Sequence, residues 1–408
     1  MIQYLDSWRI RVKNAHRNLL LFAAGAALMG FAGSMFDTTF NNFLSDTFNI
    51  TAETRGFLEF PRELPGFLTA LFAGLLFFTA ETNIAGISAL CVGAGMIGVA
   101  IWGGGWWAMI ALMTVWSVGS HLIMPVRSSI GMDLAHDGRK GRRLGQIQGA
   151  SIAASILGYA LVWVVLDLTP KNYRLIYIIG GMVALGAAAV FFTMRMPGAH
   201  LSRPKFVFRR RYWLYYVLAF FFGARKQIFI TFGPWVLVKV FHQEAVIFAK
   251  LFIAGAVLGM VFQPMLGRAI DRFGERKVLM VDAMLIFGIC AGYGFANHLG
   301  NHRLALWLLY ACFVADQLLF GVNMARDTYM SKIALKPEHV APSLSLGVTI
   351  NHAVSMSVPS IGGLIWIRYG YSWVFVGAAG VAVLMVIFTS MVRTDRPGER
   401  ISESESRP

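Results

Sequence analysis

Charge is scarce in this chain: Asp, Glu, Lys and Arg make up 14% of its 408 residues, against 57% that are hydrophobic. A soluble domain carries about 25% charged residues, so this composition leaves too little polar surface to coat a 45.1 kDa globule. Cysteine is scarcer still, and Cys91, Cys290 and Cys312 each sit inside an apolar run, without the spacing of a disulfide framework or a zinc site. Catalytic signatures are missing: there is no His-Glu-x-x-His, no Gly-x-Ser-x-Gly, no phosphate loop and no clustered Cys or His ligands. No enzyme activity, cofactor or metal is therefore expected. The formal charge of +15 would suggest nucleic acid in a soluble protein. Here the cations gather in loops and tails beside apolar runs, so a nucleic-acid partner is not expected.

What the chain does have is long hydrophobic runs and a mean hydropathy of +0.60. A helix needs ~20 apolar residues to cross the hydrocarbon core, and that ruler marks twelve runs, so the expected partner is the lipid bilayer. The first six are Leu19 to Phe43, Thr54 to Thr79, Ile84 to Gly103, Trp106 to Leu134, Leu144 to Leu166 and Tyr173 to Met194. The second six are Tyr212 to Val238, Val246 to Leu266, Val278 to Ala296, Leu304 to Met324, Ser343 to Ile367 and Trp373 to Met391. The first run follows a basic start, as a signal peptide would, but it is too long and lacks a cleavage site, so it reads as an uncleaved span.

Alternating sides collects Arg9, Arg11, Lys13, Arg17, Arg139, Lys140, Arg142 and Arg143 on one face, together with the linker from Arg195 to Arg211 and Arg393, Arg396 and Arg400. The other face receives scattered cations such as Arg55, Lys171, Arg174, Lys239, Arg303 and Arg368. The positive-inside rule then puts both termini in the cytoplasm. The organisation expected is a bundle over 1–194, a basic linker over 195–211 with Pro197, Gly198 and Pro204, a second bundle over 212–394 and a tail over 395–408.

The halves echo one another faintly: at an offset of 190 positions Phe31 meets Phe221, Gly33 meets Gly223 and Glu81 falls on Asp271, and at an offset of 199 Arg127 meets Arg326. Between two spans of the second half runs Gly267-Arg268-Ala269-Ile270-Asp271-Arg272-Phe273-Gly274-Glu275-Arg276-Lys277, a charged hinge whose glycines allow a turn. Two six-helix halves, a basic central linker and this hinge resemble the major facilitator superfamily, across nearly the whole chain. The first-half counterpart, Thr79 to Gly86, keeps the acid Glu81 but has lost the flanking glycine and the basic residues. The glycine-proline pattern of antiporters is also missing from the fifth run, where Gly145 and Gly149 stand instead. The resemblance implies an all-α membrane fold of two pseudo-symmetric six-helix bundles that transport a solute. It also implies cytoplasmic gate pairs, here Asp271 with Arg326 and Glu81 with Arg127. Each arginine has a plainer reading as a snorkel to anionic headgroups.

Ionised side chains inside a span cost ~2.5–3.5 kcal/mol each on insertion scales and usually face a cavity or a partner. Asp37 lies late in the first run, and Glu59, Arg62 and Glu63 early in the second, so opposite helix directions bring all four to similar depth. Glu59 shares a face with Arg62 and Glu63, and Arg62 neutralises one of three nearby carboxylates at a time, which leaves a protonatable acid. A static charge network is the plain alternative. In the seventh run Arg225 and Lys226 point ~100° apart, so one is expected to line a cavity as an anion contact while the other meets an acid such as Asp316. Gln317, His121, Asn351 and His352 complete the candidate substrate contacts, although a lone intramembrane histidine is more often a helix–helix hydrogen-bonding group.

Gly145 with Gly149, and Gly255 with Gly259, have the spacing of close helix packing, across the halves or within one. Trp106, Trp107, Trp235, Trp366 and Trp373 fall at span ends as interfacial anchors. Together these features predict a monomeric, proton-coupled secondary transporter of a small anionic or zwitterionic solute in a bacterial inner membrane. Asp37, Glu59 and Glu63 are its proton acceptors and Arg62 their regulator. A drug or metabolite efflux permease of the same fold is the alternative, ahead of a membrane-embedded enzyme or a channel.

Overall fold

The computed structural model describes residues 2–72, 80–135, 140–196 and 208–393. Arg139, the middle of the basic linker with Pro197, Gly198 and Pro204, Thr79 and the tail over 395–408 lie outside them. Among the described residues there is no strand, and twelve helical rods follow one another. The first half holds α1 (Ile2–Phe48), α2 (Ala52–Phe57, resuming after Leu58 as Glu59–Phe72), α3 (Glu81–Trp102), α4 (Trp106–Asp133), α5 (Lys140–Leu168) and α6 (Tyr173–Phe192). The second holds α7 (Trp213–Lys239), α8 (Ala245–Phe273), α9 (Glu275–Phe295), α10 (His302–Leu319, resuming as Asn323–Ile333), α11 (Val340–Tyr369) and α12 (Tyr371–Ser390).

Local chemistry sets the helix ends. Thr51, Asn172 and Asn301 cap the starts of α2, α6 and α10, each side-chain oxygen accepting from an amide two or three residues on. In the charged hinge only one glycine turns the chain: Gly274 has φ +80° between α8 and α9, whereas Gly267 stays helical inside α8.

Within the first half α1 packs on α5 and α6, and α3 on α4 and α6; within the second α9 packs on α12, and α7 on α11 and α12. Aromatic stacks fill both bundles, with Phe36 on Trp116 at 4.0 Å and Tyr293 on Phe375 at 4.6 Å between ring centroids. Trp235 belongs to this interior at 1% exposure, so it is not an interfacial anchor; Trp107 and Trp373, 79% and 57% exposed, stand on the outside as expected.

The halves meet along α2 with α11, α5 with α8, and α1 with α7. Their tight contacts lie at the end away from the linker. Gly56 sits against the backbone of Pro359, a β-carbon on Gly363 would come 2.6 Å from the Ala52 carbonyl oxygen, and Asn42 donates to the Gln243 carbonyl at 2.9 Å. In the outer part of the α5–α8 seam Tyr159 stacks on Phe252 at 5.1 Å and Lys250 covers the Trp163 ring at 4.7 Å. Toward the linker end the same seam is loose among the described residues: a β-carbon on Gly145, Gly149 or Gly267 would meet none of their atoms within 4 Å. Close packing through Gly145 and Gly149 is thus not present in this conformation, and Gly255 and Gly259 rest against Gln317 and Leu318 of their own half.

Candidate functional site

Nine helices among the described residues are long and apolar enough to cross a membrane on length and composition alone; α2, α7 and α11 are not among them. These three carry Glu59, Arg62, Glu63, Arg225, Lys226 and His352 at the bundle centre, and they pack on one another. A membrane tolerates such helices where neighbours satisfy their charges or where they line a cavity, and both conditions hold here.

The first charge knot surrounds Glu59, which is 0% exposed. Its Oε1 accepts from Arg55 Nη1 at 2.5 Å and Arg62 Nη1 at 2.8 Å, and its Oε2 accepts from Gln227 Nε2 at 2.5 Å. Arg55 also donates through Nε to Asn41 Oδ1 at 2.8 Å and is 1% exposed. This corrects the placing of Arg55 among outer-face cations: one helical turn separates it from Glu59, so the acid draws it inward. With every lone-pair direction of Glu59 engaged, Arg62 no longer serves three acids evenly, and Glu59 sits apart from the cavity described below.

One turn further, Glu63 reaches across to the second half. Its Oε2 lies 2.9 Å from His352 Nδ1 on α11 and 3.9 Å from Lys226 Nζ on α7. The rings of His352 and His121 meet edge to face at 5.0 Å, and His121 Nδ1 lies 2.9 Å from the carbonyl oxygen of Ser117. Gly66 makes room for both rings, since a β-carbon there would come 2.6 Å from His352 Cε1 and 2.7 Å from His121 Nε2. Glu63, His121 and His352 offer ligand atoms within 4.8 Å of one another, a set of metal-ligating type. Lys226 and Arg62 already supply positive charge beside that carboxylate, which disfavours a divalent cation.

A third pair joins α7 to α10, where Arg225 Nη2 lies 2.7 Å from Asp316 Oδ1 and the guanidinium covers the Phe320 ring at 5.0 Å. Arg225 is 1% exposed and lines neither chamber of the cavity, its guanidinium held behind the wall by Asp316 and Phe320, which removes it from the substrate contacts, whereas Lys226, ~100° round the helix, lines the larger chamber.

That cavity consists of two chambers, about 460 Å³ and 350 Å³, which share Asp37, Arg62 and Ile230. Glu63, His121, Lys226, His352 and Arg127 line the larger chamber, and Asp316 and Gln317 the smaller. Phe22, Ala26 and Phe191 extend the larger chamber toward the linker end, where the α5–α8 seam is loose. Asp37 is open to the hollow and makes no hydrogen bond or ion pair among the described residues. Asn351 lines neither chamber: its backbone lies against Gly223 and its Oδ1 accepts from Ser355 at 3.3 Å.

The expected gate pairs are not formed. Glu81 accepts from Ser129 Oγ at 2.7 Å, while Arg127 turns into the larger chamber. Asp271 is exposed, with α8 continuing two residues beyond it before the Gly274 turn. Glu275, the first residue of α9, takes the inward place and pairs with Lys332 at 2.6 Å. Arg326 instead covers the Phe222 ring at 3.5 Å and donates to Asn323 Oδ1 at 2.5 Å. Sequence reading places Gln227 beside Arg225 and Lys226 without a role, and it missed the meetings of Gln227 with Glu59 and of His121 with His352, which join residues far apart in the chain. The Arg55–Glu59 spacing of one turn was a usable signal.

Comparison with known proteins agrees with this architecture. The family model described as Major Facilitator Superfamily matches residues 22–345. An uncharacterized MFS-type transporter of Bacillus subtilis (strain 168), YybF, is 22% identical over 306 residues, covering 69% of this chain and 72% of that protein. The crystal structure of the nucleoside transporter NupG superposes with a TM-score of 0.72 at 14% identity, over 93% of this chain and 100% of that one. That of a D-xylose-proton symporter gives 0.70 at 15% identity, over 95% and 100%. A bacterial homolog of the human lysosomal transporter Spinster, in an inward-facing and occupied conformation, gives 0.72 at 14%, over 93% and 98%.

Proposed function

Since the chain belongs to the major facilitator superfamily, and is thus a multi-pass membrane transporter, we propose that it is a proton-coupled secondary carrier of a small solute, working by alternating access in the plasma membrane with both termini cytoplasmic. The observation that carries the coupling is the division of labour among its carboxylates. Asp37 stands open to the hollow without a direct partner, while Glu63, at the same hollow, holds Lys226 and His352 of the other half. A neutral carboxyl on Glu63 loses its attraction for Lys226 and presents a donor where His352 now finds an acceptor, so proton occupancy sets how firmly the halves adhere at mid-depth. Glu59 has no part in this reading because its oxygens are saturated and shut off from the hollow.

The far end is sealed by the α2–α11 backbone contacts and the Asn42–Gln243 bond, and the larger chamber extends toward the linker end. If the basic linker marks the cytoplasm, this conformation faces inward, the state named for the Spinster homolog. The kinship in fold to a D-xylose-proton symporter supports proton coupling as the driving step. Reconstituted vesicles test it: once a thermal-shift screen has named a solute, Asp37→Asn and Glu63→Gln should lose uptake driven by a pH gradient while retaining solute counterflow. Gradient-driven uptake at the wild-type rate in both variants would remove these carboxyls from the mechanism.

A further inference from the structure

The charges at the centre do not cancel. Arg55, Arg62, Arg225 and Lys226 are each within ion-pair reach of a carboxylate. Arg127, half-buried in the wall of the larger chamber, makes no ion pair or hydrogen bond among the described residues. Counting every carboxylate that pairs with these groups or lines the chambers, Asp37, Glu59, Glu63 and Asp316 stand against five cations, and the cation without a partner is Arg127. A guanidinium in a low-dielectric wall costs free energy unless an anion meets it. Beside its charged and imidazole groups the chamber also has apolar walls, Phe22, Met29, Trp116 and Phe191 among them.

Building on the carrier reading above, we propose that the transported solute is an organic monoanion, of carboxylate type with an apolar body, and that Arg127 is its counter-ion. One excess positive charge matches one carboxylate. The planar guanidinium presents parallel N–H donors that fit the two oxygens, and the aromatic and thioether walls take the hydrocarbon part. Arg127 thus replaces Arg225, which Asp316 already holds, as the anion contact of this hollow. The chamber of about 460 Å³ has the volume of a small-molecule site.

The test uses the full-length purified protein and four probes: phenylacetate and hexanoate, with phenylacetamide and hexanamide as their neutral counterparts. The carboxylates should raise the unfolding midpoint and the amides should not. Arg127→Gln should weaken carboxylate binding by about 10- to 100-fold, the loss of one charged hydrogen-bonding contact, with the ligand-free midpoint unchanged, and Arg127→Lys should recover part of it. Should Arg127→Gln fold poorly, the Arg127→Lys variant alone decides through the same ratio of carboxylate to amide stabilisation. Equal stabilisation by acid and amide, stabilisation by neither, or a carboxylate response that survives loss of Arg127 would each overturn the proposal. Flux separates it from the reading beneath: binding through Arg127 without flux in vesicles refutes the carrier and keeps the anion site, whereas carboxylate flux indifferent to Arg127 does the reverse.

Discussion

Replacing Glu59 by Gln should damage the fold far more than replacing Asp37, the carboxyl that faces the hollow without a direct partner. The Glu59 carboxylate is 0% exposed and accepts from Arg55 at 2.5 Å, Arg62 at 2.8 Å and Gln227 at 2.5 Å. A glutamine keeps one acceptor oxygen, removes the negative charge and turns an N–H pair toward donors. Arg62 retains Glu63 and Asp37 within electrostatic reach, so it is partly compensated. Arg55, 1% exposed, is left with Asn41 alone. Breaking a buried ion pair from one side costs ~3–5 kcal/mol, which is about two to three and a half powers of ten in the folding equilibrium. The measurement is a denaturing-detergent titration of purified wild type, Glu59→Gln and the double variant Arg55→Met with Glu59→Gln. Removing both charges should recover at least half of the loss, because the uncompensated cation is gone and Met packs in its place. A Glu59→Gln variant as stable as wild type, or a double variant worse than the single, would refute the assignment of this knot to structure.

Arg225→Ala should likewise destabilise by ~3–5 kcal/mol, since it strands Asp316, while Lys226→Ala, on the hollow side, should cost less stability and impair transport; the same titration together with vesicle flux checks the contrast. Gly56→Val should prevent the far-end seal, because its side chain would displace the Pro359 backbone, so Asn42→Cys in that background should react with an impermeant thiol reagent faster than Asn42→Cys alone. Equal labelling rates would show that the α2–α11 contact does not govern access.

Much of the architecture was legible in the chain itself. Twelve apolar runs, a central basic linker and a charged hinge were enough to expect two six-helix halves, because lipid requires every backbone polar group to be satisfied within its own segment and so leaves the helix as the spanning unit here. The same economy made Asp37, Glu63 and Lys226 visible as candidates, charge in a span being too costly to be incidental. Partner choice was less legible. The i+4 spacing of Arg55 and Glu59 lies in one helix and was readable, yet Arg55 looked like a loop cation until the break at Leu58 placed it inside the bundle. Asp271 was expected at Arg326, but helical phase sent it outward and put Glu275 at the inner position.

Which element lies in the membrane, and how much charge the bundle must hold, followed from the sequence alone, since both depend on local composition summed along a run. Which charge meets which, that Gly66 admits two imidazoles from α4 and α11, and that Arg127 is left over were decided only when the halves closed on each other. Those outcomes depend on rotation and depth of helices remote in the chain, where a single-residue shift turns a side chain by ~100° and changes a buried partner into an open cavity wall.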